Sequence, residues 1–192
     1  RRRVLSSCAS AIAGLAGNKL SALSPLYSLD GLLDAFINPR PASGVIGGRR
    51  VEYWGYNGIL PGTILETGPG DTLRVHLRNS LAEPTNLHFH GLHVSPTGNA
   101  DNSFIEVPPG EQLDYELQIP ADHPCGTFWY HPHMHGATAR QVFRGLAGLL
   151  IVRGDLDAIP EIAAAEEQFF VLQDFTVDRN GQIPEPTFGE RM

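Results

Sequence analysis

Between Val51 and Val152, apolar residues recur at every second position in short runs that glycine and proline interrupt. In Thr72–Asn79, Leu73, Val75 and Leu77 fall on one side and Arg74, His76 and Arg78 on the other. Leu113, Tyr115, Leu117 and Ile119 repeat the pattern within Gln112–Ile119. Alternation of this kind predicts strands with one face in a core and one in water. Further β-type runs are Val51–Tyr56, Thr63–Thr67, Leu87–His93, Gly126–His131 and Ala147–Val152. Turn signals separate them: Pro61-Gly62, Gly68-Pro69-Gly70-Asp71, Pro96-Thr97-Gly98-Asn99 and Pro108-Pro109-Gly110. Short strands at this spacing indicate an all-β sandwich or barrel of about 100 residues.

The flanks read differently. Residues 18–44, with Pro25, Pro39 and Pro41, are expected to form an irregular lead-in with a short helix at Asp30–Ile37. Thr138–Phe143 predicts one or two helical turns. Gly154-Asp155 starts a connector, and Asp157–Gln168 reads as an acidic, Ala-rich loop with some helix. Phe169–Phe175 is a β-type run followed by the turn signal Asp178-Arg179-Asn180-Gly181. The expected organisation is a lead-in over 1–44, one sandwich domain over 45–155, and a linker with the start of a truncated second domain over 156–192. At the N-terminus, Arg1-Arg2-Arg3 precedes the small, mildly apolar stretch Val4–Gly17. A basic segment before such a stretch reads as an export signal, and the arginines resemble a twin-arginine signal. The protein is therefore expected in the periplasm or outside the cell.

Composition narrows the function. The 192 residues are 42% hydrophobic and 18% charged, which suits a folded chain with a core. Fourteen Lys+Arg against 21 Asp+Glu give a net charge of −7, which argues against nucleic acid as a partner. No run of eighteen apolar residues is present, so no membrane span is expected. Cys8 and Cys125 can pair only if the fold brings them within reach.

Histidine is the unusual residue. Eight scattered His in a chain of this length give roughly 0.3 His-x-His pairs by chance; this chain has three, at 88/90, 131/133 and 133/135. In a strand, side chains i and i+2 share a face about 6–7 Å apart. Two imidazoles so placed reach one metal or two neighbouring metals, and an all-imidazole set favours copper or zinc over magnesium or calcium. His76 lies on the polar face of an alternating strand and reads as a solvated surface residue. His93 and His123 read as surface residues or supports behind the ligands. Other metal folds fail on spacing. No His-Glu-x-x-His of a zincin and no paired cysteines of a zinc finger occur, and Val94 and Ser95 stand where a cupin would carry Glu.

Several stretches of text go further: Pro61-Gly62-Thr63-Ile64, Gly70-Asp71-Thr72-Leu73-Arg74-Val75, Asn86-Leu87-His88-Phe89-His90-Gly91, Gly126-Thr127-Phe128-Trp129-Tyr130-His131-Pro132-His133, and Gly145 to Val152. Together they resemble the first cupredoxin domain of multicopper oxidases, a family that includes laccases, bilirubin oxidases, ascorbate oxidase and bacterial cuprous oxidases. The resemblance covers about residues 48–155 and continues more weakly to Gly181. It implies a Greek-key β-sandwich of cupredoxin type, with the short helix after the second His motif. It also implies that His88 ligates a type 2 copper and that His90, His131 and His133 ligate a type 3 pair. Asp101 roughly matches an acidic residue that feeds protons to the cluster, and is the candidate catalytic residue. His135 matches no ligand position and is expected to orient a ligand or line a solvent channel.

The implied reaction withdraws four single electrons from a donor and reduces O₂ to water. Half the machinery is absent from the resemblance. A complete trinuclear cluster takes eight histidines, and four occur here at matching positions. Neither Cys8 nor Cys125 has the flanking histidines of a type 1 copper site. The expectation is the N-terminal domain of a longer laccase-like enzyme, inactive alone, whose partners are the missing C-terminal cupredoxin domain(s) or another subunit, O₂ and an electron donor. The alternatives are a standalone copper-binding module for storage or delivery, and an interaction domain that has lost copper. The four retained histidines count against the last, and the run Phe169–Phe175 counts against the standalone module.

Overall fold

Ten strands and three short helical turns make up the computed structural model, which describes residues 25–174 and 176–185. The strands are β1 (Leu26–Tyr27), β2 (Leu32–Ile37), β3 (Pro39–Ile46), β4 (Arg49–Tyr56), β5 (Gly62–Thr67), β6 (Thr72–Arg78), β7 (His88–His90), β8 (Gln112–Gln118), β9 (Gly126–His131) and β10 (Gly148–Val152). Helix α1 is Thr138–Phe143, followed by a 3-10 turn at Asp155–Ala158 and α2 at Pro160–Ala163. One sheet runs β1-β5-β10-β9-β7, a second runs β2-β6-β8, and β3 and β4 form a hairpin. β5 is parallel to β1 and β10, and β9 is antiparallel to β10 and β7.

The alternating pattern explains how the sheets meet. Leu33, Ala35 and Ile37 of β2, Leu73, Val75 and Leu77 of β6, and Tyr115 and Leu117 of β8 all face inward. They pack on Leu65, Phe89, Tyr130, Leu150 and Val152 of the five-stranded sheet. This is the all-β sandwich that the spacing predicted. Fully burying one such side chain contributes about 1.5–3 kcal/mol. A one-residue slip would turn each of them outward, so the core holds strand register tightly.

The lead-in differs from expectation. Asp30–Ile37 is not a helix: Leu32–Ile37 is β2, paired in parallel with β6 from Leu32↔Thr72 to Ile37↔Leu77. Leu-Leu-Asp-Ala suits a helix by propensity, but its buried positions repeat with period two, and packing on β6 overrides the propensity. Residues 39–44, expected to be irregular, belong to β3. Pro39 and Pro41 are tolerated there because β3 pairs only with β4, so one edge needs no N–H donor.

The C-terminal run also differs. Phe169 to Asp174 forms no strand, and Phe170 and Leu172 are 70% and 96% exposed. β-formers make a strand only where a second strand takes their N–H and C=O groups, and among the described residues none does. The turn at Asp178–Gly181 is present, closed by Gly181 N–H to the Asp178 carbonyl at 3.2 Å. It returns the chain to β4, where Gln182 bridges Glu52 and Ile183 packs with Val51 and Tyr53. The expected export segment and Cys8 lie outside the described residues. No helix among them is long and apolar enough to cross a membrane.

Candidate metal centre

Strands β7 and β9 set the site through their register. His88 pairs with His131, Phe89 with Tyr130, and His90 with Trp129. Phe89 and Tyr130 point into the core and are fully buried. The period of two then puts His88, His90, Trp129 and His131 together on the opposite, outer face of the sheet. Apolar packing on one face thereby fixes the metal-binding residue types on the other.

On that face the imidazoles converge. The ring centroids of His88 lie 5.6 Å from His90 and 5.3 Å from both His131 and His133. One nitrogen each from His88, His90 and His131 fall within 4.8 Å of one another. His90 Nδ1 and His131 Nε2 lie 3.3 Å apart. Two nitrogens that share a tetrahedral ion at about 2.0–2.1 Å lie about 3.3–3.4 Å apart. The 3.3 Å spacing would suit two ligands on one metal.

Proton placement supports the same reading. His131 Nδ1 faces the Pro132 carbonyl at 2.8 Å, and a carbonyl only accepts, so Nδ1 carries the proton and Nε2 keeps its lone pair. His88 Nδ1 donates to Asp101 Oδ1 at 3.0 Å, which leaves Nε2 of His88 free. Burial pushes His131 down to about 4, opposed by its bond to Pro132 and reinforced by the neighbouring imidazoles of His88, His90 and His133. A buried imidazole that stays neutral at pH 7 is suited to ligation.

His133 stands outside the close triad, with its ring 6.5 Å from that of His131. Its Nδ1 is buried and has no hydrogen-bond partner. A polar atom removed from water without a partner is costly, so a metal or its bound water fits there. Trp129 stacks on His131 at 3.9 Å and on His90 at 5.1 Å, and so holds both rings in place. Asp101, 9% exposed, also accepts from the Phe89 N–H at 2.9 Å, so one carboxylate oxygen grips both β7 and its first histidine.

A family model for multicopper oxidases matches residues 42–157, which contain all four histidines and Asp101. The chain belongs to the multicopper oxidase family. A multicopper oxidase of Staphylococcus aureus is 38% identical over 102 residues, 53% of this chain and 22% of that protein. Laccase-4 of Thanatephorus cucumeris is 37% identical over 103 residues, 50% of this chain and 19% of that protein. The chain thus spans about a fifth of the length of these curated relatives. Among solved structures, a multicopper oxidase of Campylobacter jejuni, described as a metallo-oxidase, superposes with a TM-score of 0.60 at 32% identity. It covers 68% of this chain and 28% of that one. A multicopper oxidase variant from Aquifex aeolicus gives a TM-score of 0.70 at 26% identity, covering 88% of this chain and 38% of that one.

The remaining histidines of this multicopper oxidase segment lie apart from the triad. His76 is not simply solvated: it sits between Asp114 at 2.7 Å and Asp34 at 2.9 Å and stacks on Phe36. Hydrogen bonding to Asp114 is the largest cause that raises its pKa, with further help from both carboxylate charges. His123 is buried; its Nδ1 donates to the Pro124 carbonyl and its Nε2 accepts from the His93 N–H. Both nitrogens are occupied, so His123 is not poised to share a metal with nearby Cys125. The exposed His135 touches the Phe104 ring at 5.3 Å and lies 6.0 Å from His133.

Sequence reasoning gave no role to Asn86, which is 1% exposed and stands two residues before His88. It also missed Gln141, which joins α1 to Thr85 through a buried hydrogen bond and to Glu83 through a partly buried one. The one available signal for Asn86 was its place on the same alternating side as His88 and His90, two residues before the first of them.

Proposed function

We propose that this chain supplies half of a trinuclear copper centre that reduces O₂ to water while a donor is oxidised. The supporting observation is the 3.3 Å approach of His90 Nδ1 to His131 Nε2, with the proton of His131 held on its other nitrogen. His88 takes the type 2 position, and His90, His131 and His133 take the type 3 positions. Copper bound there supplies one-electron chemistry, by which four electrons and four protons convert O₂ to two waters.

The chain's own residues do the rest. Trp129 and the Pro132 carbonyl orient His131. Asp101 fixes the tautomer of His88 at Nδ1 and holds a carboxylate oxygen beside the site, where it can receive and release a proton. Residues 45–155 act as the first cupredoxin domain, and residues 156–192 lead toward the next. A further cupredoxin domain or another subunit contributes the remaining histidines and the type 1 copper that takes electrons from the donor. Export to the periplasm or the cell exterior accords with the N-terminal pattern.

Copper titration of the purified chain tests the ligand set. Wild type should bind copper without an intense blue thiolate band, and His88→Ala, His90→Ala or His131→Ala should each lower the affinity. In a longer chain that includes the complementary domain, His131→Ala should abolish O₂ uptake while sparing the type 1 signal. Retained O₂ turnover in that variant would remove His131 from the ligand set. Reversible copper transfer by the 192-residue chain, with no O₂ uptake in any longer context, would favour the storage module instead.

A further inference from the structure

We propose that Asn86 is a positioning residue that couples the two His-x-His motifs and so sets the geometry of the copper ligands. The inference rests on the copper reading above. The amide of Asn86 is taken up by protein partners, so it acts through its neighbours.

Three hydrogen bonds carry the argument. Asn86 Oδ1 accepts from the backbone N–H of His133 at 2.7 Å. Its Nδ2 donates to the carbonyls of Ile105 at 2.9 Å and Ser103 at 3.2 Å. One buried amide therefore uses both of its donors and its acceptor, the fully satisfied arrangement that makes a polar group in a core rigid. The partners lie on two segments remote in sequence. His133 belongs to the second motif, just beyond the end of β9. Ser103 and Ile105 belong to the return arm of the loop that presents Asp101 to His88 Nδ1 and the Phe89 N–H.

The chain has few other means of fixing His133. Its imidazole Nδ1 has no hydrogen-bond partner, and the residue lies outside the strand ladder that holds His88, His90 and His131. The backbone bond to Asn86 is thus the anchor from which this ring is aimed. Through its amide donors the same side chain keeps the Asp101 loop closed on His88. A single substitution at Asn86 should disturb a ligand of each motif, although it removes no ligand.

Thr85 supplies a matched control. It is equally buried, one residue earlier, and its hydroxyl bonds Gln141 at 2.7 Å, away from both ligands. The test uses the full 192-residue chain and two readouts. In the copper-free chain, ¹⁵N-edited NMR should show His88 protonated at Nδ1 and a His133 amide protected from exchange. In Asn86→Ala, His133 amide exchange should accelerate at least about tenfold and the His88 tautomer should become mixed. Affinity for Cu(II) alone, read by chelator competition, should fall about 10–100-fold, the usual effect of removing a group behind a metal ligand. Thr85→Val should lose comparable thermal stability yet keep copper affinity within about twofold, since its partner lies outside the site.

Asn86→Asp keeps the acceptor for His133 but loses the amide donors. It should preserve His133 protection while altering the His88 tautomer, and it decides the question if Asn86→Ala does not fold. NMR signatures and copper affinity in the Asn86 variants no worse than in Thr85→Val would overturn the proposal. If wild type takes up no copper, the proposed function fails on its own, and the copper-free NMR comparison still decides the role of Asn86.

Discussion

Removing the Asp101 carboxylate should weaken the fold and the site by separable amounts. Its Oδ1 accepts two hydrogen bonds, from the Phe89 N–H at 2.9 Å and from His88 Nδ1 at 3.0 Å. Phe89 is fully buried, so in Asp101→Ala its N–H loses its partner with no water to replace it, which costs about 1–3 kcal/mol. His88 is 24% exposed and can turn toward water, so its lost bond adds less to stability. A domain of this size loses about 2–4 °C of Tm per kcal/mol, which places the expected drop at about 2–12 °C. Copper affinity should fall separately, by about 10–100-fold, because His88 no longer presents a fixed tautomer. Asp101→Asn separates the two effects. An amide oxygen still accepts from Phe89, so stability should fall by less than about 1 kcal/mol, while a neutral acceptor orients His88 less firmly. Thermal melts of the copper-free chain and Cu(II) competition titrations read the two quantities. If Asp101→Ala melts with wild type and binds copper equally well, the two-bond account of this residue is wrong.

Three further outcomes follow from the geometry. His131, held down to about 4 by burial, is neutral in the fold, whereas the unfolded chain takes up its proton near pH 6.5; copper-free stability should therefore fall as pH drops from about 6.5 toward 4, on the order of 1–3 kcal/mol, and His131→Phe should flatten this dependence in denaturation curves. His76 carries the opposite sign: its raised pKa stabilises the fold below about pH 6.5 and the contribution is lost as pH rises through the folded value, so an NMR titration should show a raised midpoint that Asp114→Asn brings down. Gly148 packs directly on the Tyr130 ring, leaving no space for a Cβ; Gly148→Ala should cost about 1–3 kcal/mol and, by shifting the strand before His131, also lower copper affinity, whereas a melt unchanged from wild type would refute the close-packing argument.

The sandwich was legible wherever burial has a period of two. The runs Thr72–Asn79, Gln112–Ile119 and Gly126–His131 all became strands within a residue or so, and Thr138–Phe143 became the helix α1. The close triad was legible for the same reason, since His88, His90 and His131 fall on one face of two paired strands, whereas His133 lies just beyond the end of β9. Legibility failed where a partner decides the outcome. Leu32–Ile37 is a strand because β6 lies beside it, and Phe169 to Asp174 is not one because nothing among the described residues lies beside it. Asn86 and Gln141 were missed because their worth lies in contacts across 47 and 56 residues of chain, which no local pattern records.

The alternation of Phe89 and Tyr130 with the clustered histidines has a consequence for how faulty copies of this chain fare in a cell. A slipped pairing of β7 and β9 cannot yield a sound fold with a scrambled site, because the slip that misplaces His88 and His131 also expels two aromatic rings from the interior. Misregistered chains would display that greasy surface to chaperones and proteases and be removed. Errors in translation or mutation along these strands should thus surface as low abundance rather than as a long-lived protein with a scrambled histidine cluster.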